Sequence, residues 1–304
     1  MSAVKDISVL CVPFDLGAGR KGVRLGPHAI LQAGLERRLR GLGLQVEVLQ
    51  PFPVPQAGIS EPAVRTEEAL LHLDEVAGLN ELLAQAVWGI LGRGRFPLVL
   101  GGDHSIAIGT LAGIAPHHKN PGVIWFDAHS DLNTPETSPS GNIHGMSLAA
   151  ALGLGHDRLV RIGGITPKVK PEHTVIIGAR SLDPGEKERI RSLGIRCFTM
   201  HEIDRMGISR VMEEALHIAG AGTDGIHVSF DIDSMDPGEA PGTGTPVRGG
   251  LSYREAHCAL EMLSESGLVR SAEVVEVNPV LDTDNKTARL AAELMGSLLG
   301  QRIL

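Results

Sequence analysis

Residues 122–131 read GVIWFDAHSD, an apolar run that passes straight into alternating carboxylate and imidazole groups, and its reading decides the fold. Successive side chains of an extended segment point to opposite faces, so only residues two apart share a side. Asp127, His129 and Asp131 are spaced by two, which groups three metal-ligating side chains at one strand end. The same form recurs in VLGGDHS (99–105), which ends on His104, and in HVSFDID (227–233), which ends on Asp231 and Asp233. If the three segments are parallel strands, their carboxyl ends share one edge of a sheet, the place where α/β folds build sites. Each motif alone also reads as a solvated loop or a helix cap. Three of them at the ends of similar strands read as a two-metal centre. Four carboxylates and two imidazoles, without a thiolate, form a hard donor set that suits manganese, with iron, cobalt and zinc behind it, and not a structural zinc site.

Outward from this stretch, apolar runs rich in Val and Ile alternate with helical periodicity from end to end, the pattern of β-α-β winding. Strands are expected at Ile7 to Val12, Val46 to Leu49, Pro97 to Leu100, Gly122 to Asp127, Thr174 to Gly178, Arg196 to Thr199, Gly225 to Asp231 and Val269 to Val277. Helices are expected at Pro27 to Leu39, Val76 to Leu91, Ser209 to Ala219, Tyr253 to Ser264 and Thr287 to Leu299. Eight such strands make one wide sheet or a closed barrel, with helices on both faces. No segment inside the 304 residues looks like a linker, so residues 1–304 are expected to form one α/β domain. The Pro- and Gly-rich stretch from Gln50 to Ser60 and the polar loop from Thr134 to Gly145 are the longest irregular segments, and long loops in compact domains are usually functional.

A formal net charge of -8 with a scattered distribution of Lys and Arg argues against a nucleic-acid footprint, yet leaves room for a cationic small molecule. The start has only a short uncharged run, Ile7 to Val12, before Pro13 and Asp15, and reads as a first strand, not a secretory signal; no run reaches membrane-spanning length. Cys11, Cys197 and Cys258 stand alone in apolar segments, as expected of core thiols in a reducing cytoplasm. Gly17, Gly19 and Gly22 spell a dinucleotide-binding fingerprint, but Pro13 to Leu16 separate it from the strand and no helix pattern opens before Pro27. The fingerprint needs strand, glycines and helix in direct succession, so a dehydrogenase is the weakest reading.

Taken together, VPFDLGAGRKGVRLGP (12–27), GGDHS, DAHSDLNTPETSPSGNIHGM (127–146), SLDPGE (181–186), SFDIDSMDP (229–237), GTGTPVRGGLSYRE (242–255) and EVVEVNP (273–279) resemble the ureohydrolase family over nearly the whole chain. SGNIHGM resembles the arginase branch in particular. The resemblance implies a three-layer α/β/α fold with a central eight-stranded parallel sheet, and two Mn2+ per subunit. In it, Asp127 and Asp231 match bridging positions, His104 and Asp131 fall to one ion, and His129 and Asp233 to the other. It further implies a cytoplasmic trimer or hexamer that hydrolyses L-arginine to L-ornithine and urea through a metal-bridging hydroxide, with Asp131 passing a proton. Ser130 and Ser147 stand where family members often carry other residues.

Around the metals, Glu276 reads either as half of a structural ion pair or, by resemblance, as the carboxylate that orients the guanidinium. His144 is a loop histidine whose ordinary pKa lets it exchange protons near neutrality, and by resemblance the proton shuttle. Asn133, Ser140 and Asn142 would receive the α-carboxylate of the amino acid. Asp183 and Glu186 would recognise its amino group or, equally, start a helix. Thr245 resembles a contact beside the metals. The rivals are another amidinohydrolase, such as agmatinase or guanidinobutyrase, which has no α-carboxylate to receive, and a non-catalytic binder of guanidino compounds.

Overall fold

A computed structural model describes residues 6–50, 52–54 and 70–302. Eight strands, β1 (Asp6–Val12), β2 (Gln45–Val48), β3 (Phe96–Gly101), β4 (Gly122–Phe126), β5 (Thr174–Ala179), β6 (Arg196–Thr199), β7 (Ile226–Asp231) and β8 (Val269–Val275), form one sheet. Their order is β2-β1-β3-β8-β7-β4-β5-β6, and every neighbouring pair is parallel. The sheet is open, which removes the barrel alternative. Its edges are the two four-residue strands β2 and β6, short enough to offer little template for further pairing.

Both faces are covered, so β3, β4 and β5 are apolar at nearly every position instead of alternating, whereas β7 and β8 keep a line of buried polar residues. On one face Ile7, Val9, Ile124, Phe126, Val228 and Phe230 pack beneath helices carrying Ile30, Leu39, Val211, Leu260 and Leu294. On the other, Leu10, Val99, Trp125 and Ile176 pack beneath the helix Leu73–Gly92 and the segments around Ile108, Leu148 and Ile190. This is a three-layer α/β/α arrangement. Among the described residues no helix is long and apolar enough to cross a membrane.

Two departures from the sequence reading have local causes. The expected helix from Pro27 to Leu39 is two helices, Gly26–Gln32 and Leu35–Gly41, because Gly34 between them takes φ 94, a left-handed conformation that ends a helix. Helices Ala107–Ile114 and Met200–Met206 are additions to the expected set, while Pro184–Leu193 is the helix that the alternative reading of Asp183 and Glu186 places there; the first is buried at every position and so carries no polar stripe to mark its period. Of the stretch from Gln50 to Ser60, residue 51 and residues 55–60 lie outside the described residues.

Candidate metal centre

The three ligand-bearing motifs meet at the carboxyl ends of β3, β4 and β7, with β8 between β3 and β7. Strand parity is only part of how they do so. β4 ends at Phe126, and the chain from Asp127 onward is a loop in which Asp131 takes φ 52. On β7, Asp231 is the last strand residue and caps a single 3-10 turn, its carboxylate accepting from Asp233 N at 2.8 Å. Asp231, read with Asp233 either as helix cap or as ligand, therefore does the first and remains placed for the second.

His104 Nδ1 lies 3.4 Å from Asp127 Oδ2, 3.0 Å from Asp131 Oδ2 and 3.2 Å from Asp231 Oδ2, all buried. His129 Nδ1 lies 3.2 Å from both Asp127 Oδ1 and Asp233 Oδ2. Two groups able to hold a cation result, His104 with Asp127 and Asp231, and His129 with Asp127 and Asp233. Asp127 is common to both, and Asp131 faces the first through His104.

The electrostatics of this cluster call for cations. Burial and the charge of Asp127 push Asp131 up to about 7, burial and the charges of Asp233 and Asp127 push Asp231 well above the carboxylate range, and Asp233 is raised for the same reasons. Asp127, equally buried, is held well below that range by the two imidazoles set against its oxygens. His129 is driven the other way, to about 12, as the Asp233 and Asp127 carboxylates outweigh its burial. His104 Nδ1 and Asp131 Oδ2 are buried without a completed hydrogen bond. An orphaned imidazole nitrogen ringed by carboxylate oxygens, with hard donors throughout, fits a divalent cation.

Neighbouring residues brace the cluster. Trp125 stacks on His104 at 4.1 Å and donates from Nε1 to Asp127 Oδ2 at 3.0 Å. Thr245 Oγ1 donates to Asp233 Oδ2 at 2.8 Å. Arg180 spends its guanidinium on the carbonyls of Gly178, Asp233, Ser234, Met235 and Val247, which ties down the loop after β7. Asp103 accepts from Gly17 N at 2.8 Å. A Cβ on Gly102 would overlap the Phe14 carbonyl oxygen, and one on Gly17 would overlap Ser105 Oγ, so the glycine motif near the start serves close packing against the GGDHS turn. Trp125, Arg180 and Asp103 went unremarked in the sequence, although Trp125 sits two residues before Asp127 and the same spacing could have flagged it.

Next to the cluster, His144 Nδ1 lies 3.0 Å from Glu276 Oε1, which also accepts from His104 N at 2.9 Å. Glu276 is buried and takes φ 64, so it shares with Asp131 a left-handed backbone that a side chain rarely adopts. Such strain gathers at functional positions. Burial lowers the His144 pKa, but the hydrogen bond and charge of Glu276 more than reverse this and lift it to about 9.

The remaining candidates split. Asn133 Nδ2 donates to Asp183 Oδ2 at 2.9 Å, and Asp183 also caps the helix Pro184–Leu193 in a capping box. Glu186 is buried with both oxygens engaged, Oε1 by Ser130 Oγ and Leu132 N and Oε2 by Asp183 N, so it braces the Ser130–Asn133 loop. Ser140 is exposed, its Oγ accepting from Asn142 N at 3.2 Å. The Asn142 amide packs beside Gly19. Two surface clefts of about 630 and 810 Å3 share no residue with any of these.

Comparison with known proteins agrees with this geometry. A family model described as "Arginase family" matches residues 5–300. The chain is 56% identical to an arginase of Bacillus caldovelox over 301 residues, 99% of this chain and 100% of the relative, and 55% identical to an arginase of Bacillus subtilis over 300 residues, 99% of each. The solved B. caldovelox structure superposes with a TM-score of 0.95 over 99% of this chain and 100% of that one. An Entamoeba histolytica arginase solved in complex with L-ornithine, 33% identical, superposes with a TM-score of 0.88 over 99% of this chain and 100% of that one. The chain belongs to the arginase family.

Proposed function

We propose that the chain hydrolyses the guanidinium group of L-arginine to L-ornithine and urea at a centre of two manganese ions, held by His104, Asp127, Asp131, Asp231, His129 and Asp233. The observation that carries this reading is the pair of cation-binding groups sharing Asp127, with the buried His144–Glu276 pair beside it. Four carboxylates against two divalent ions leave the centre near neutral, hospitable to a guanidinium. When bound, such ions supply the Lewis acidity that makes water a nucleophile near neutral pH.

The residues of the chain do the rest. Glu276 orients the guanidinium, since its carboxylate is fixed by two internal donors and a carboxylate matches a guanidinium in bidentate geometry. His144, protonated by virtue of Glu276, delivers a proton to the departing amine. Asp131, whose Oδ2 is buried beside His104 without a completed hydrogen bond, is placed to hold a proton in transit. Asn133 and Asp183, bonded to one another, would recognise the amino-acid end, with Ser140 and Asn142 from the same loop as Asn133 and Glu186 bracing that loop.

The reading extends to one domain over residues 1–304, supported by strands from both ends sharing one sheet, to residence in a reducing cytoplasm, supported by three free thiols, and to assembly as a trimer or hexamer, supported by family membership alone. Urea release from L-arginine, agmatine and 4-guanidinobutyrate, with a metal-stripped control, tests it. Preference for arginine that vanishes on stripping is expected; preference for agmatine would overturn the substrate, and no urea from any of the three would overturn the activity.

A further inference from the structure

On the sheet face that carries Val123 and Trp125, a line of buried polar residues runs back from the metal cluster along β7 and β8. On β7, His227 and Ser229 precede Asp231 at alternate positions, and their register partners on β8 are Ser271 and Glu273. All four are buried, Glu273 with no exposure at all. The interleaved residues Val228, Phe230, Ala272 and Val274 belong to the apolar core of the opposite face. A carboxylate in the middle of a doubly covered sheet is costly unless it is paired and hydrogen-bonded. Glu273 Oε2 has no partner, and His227 Nε2 lies 3.5 Å from Oε1 without completing a hydrogen bond. The fold therefore retains a poorly satisfied buried acid whose clearest interaction is the hydrogen bond that Oε1 accepts from Ser229 Oγ at 2.8 Å.

That bond has a directional consequence. A carboxylate only accepts, so the single hydroxyl proton of Ser229 is committed to Glu273. Ser229 Oγ also lies 2.8 Å from His104 Nε2, and there it is left only to accept. His104 then carries its proton on Nε2 and turns Nδ1 toward Asp127, Asp131 and Asp231. A metal ligand is set by the hydrogen bond its other ring nitrogen makes. We propose that Glu273, acting through Ser229, is a positioning residue that fixes the tautomer of His104 and keeps Nδ1 ready for a divalent cation. This inference rests on the metal reading given above.

The test is manganese binding to the metal-stripped full-length protein by titration calorimetry, with the melting temperature of the stripped protein measured in parallel. Glu273→Leu removes the acceptor at similar volume, and replacing a buried acid with an apolar group is often neutral or stabilising. The stripped variant should therefore melt at or above its parent, while its manganese affinity falls by about tenfold or more, as for other outer partners of metal ligands. Ser229→Ala should weaken binding to a similar degree, and the double variant should be no worse than either single one, because both cut the same path. Parent protein that takes up no manganese would sink the metal reading and this inference with it. Parent-like affinity in Glu273→Leu, or losses that add in the double variant, would overturn the inference and leave the metal reading standing. Should Glu273→Leu not fold, Ser229→Ala decides, and unchanged affinity there overturns the proposal.

Discussion

Replacing Glu276 with Gln separates guanidinium recognition from metal binding. Glu276 is 2% exposed, and its Oε1 already receives His104 N and His144 Nδ1 at 2.9 and 3.0 Å. Oε2 is the oxygen that a Cβ on Gly244 would approach to 3.9 Å, so it borders the glycine-lined side of the site and is free to meet a substrate. Gln is isosteric: its carbonyl oxygen can keep the two internal bonds while its amide nitrogen takes the place of Oε2. A hydrogen bond between charged groups, about 1.5–3 kcal/mol, is then lost, and a donor facing a donor adds about 1–2 kcal/mol. Those losses together predict a fall in kcat/KM of roughly a hundredfold to a few thousandfold. Urea release measures it, with manganese content determined on the same samples and expected to stay at the parent level, since Glu276 is in neither cation-binding group. The variant also removes the charge that lifts His144, so the pH at which that imidazole loses its proton should drop. Activity within tenfold of the parent at full metal content would refute the argument, as would a variant that fails to hold manganese.

Chelation of the metal should abolish urea release while far-ultraviolet circular dichroism stays native-like, and saturating manganese, at a hundred times its dissociation constant, should add about 2.7 kcal/mol to unfolding; loss of the helical signal on stripping would contradict the separation of fold from site. Gly102→Ala should cost about 3 kcal/mol or more, because the added methyl meets the Phe14 carbonyl and backbone cannot step aside, and a parent-like melting temperature would show that the turn has room. Burial pushes the Lys168 ammonium down from 10.5 to about 8, with Nζ donating to Val160 O at 2.6 Å. The folded chain holds that proton less tightly than the unfolded one, so stability rises between about pH 8 and 10.5 and the gain is absent below that window. Relative to Lys168→Met the parent should gain about 3 kcal/mol across it, and denaturation curves that stay parallel would exclude the effect.

The parts of this molecule written locally in the sequence were readable there. Apolar runs marked β3, β4 and β5 most clearly, because a strand covered on both faces is apolar nearly throughout, whereas β6, reading RCFT, carries neither Val nor Ile. The six candidate ligands stood out because carboxylates and imidazoles recur directly after three similar runs, which capping or solvation alone does not require. What could not be read is what depends on partners far along the chain. Nothing near Glu186 says that Ser130 and Leu132 will spend its carboxylate, and nothing near Glu273 says that Ser229 is its register partner. The left-handed turns at Asp131 and Glu276 were equally hidden. An acidic residue gives no sign of such a conformation, which is imposed by the surrounding packing.

The strand order carries a consequence for how the molecule comes into being. β8, the last strand in chain order among the described residues, lies between β3 and β7 and pairs with both. Until it arrives, the half of the sheet bearing His104 and the half bearing Asp127, His129, Asp231 and Asp233 have no shared neighbour to bring them into register. A chain lacking β8 would therefore hold all six candidate metal-binding residues yet have no strand to bring its two half-sheets into register.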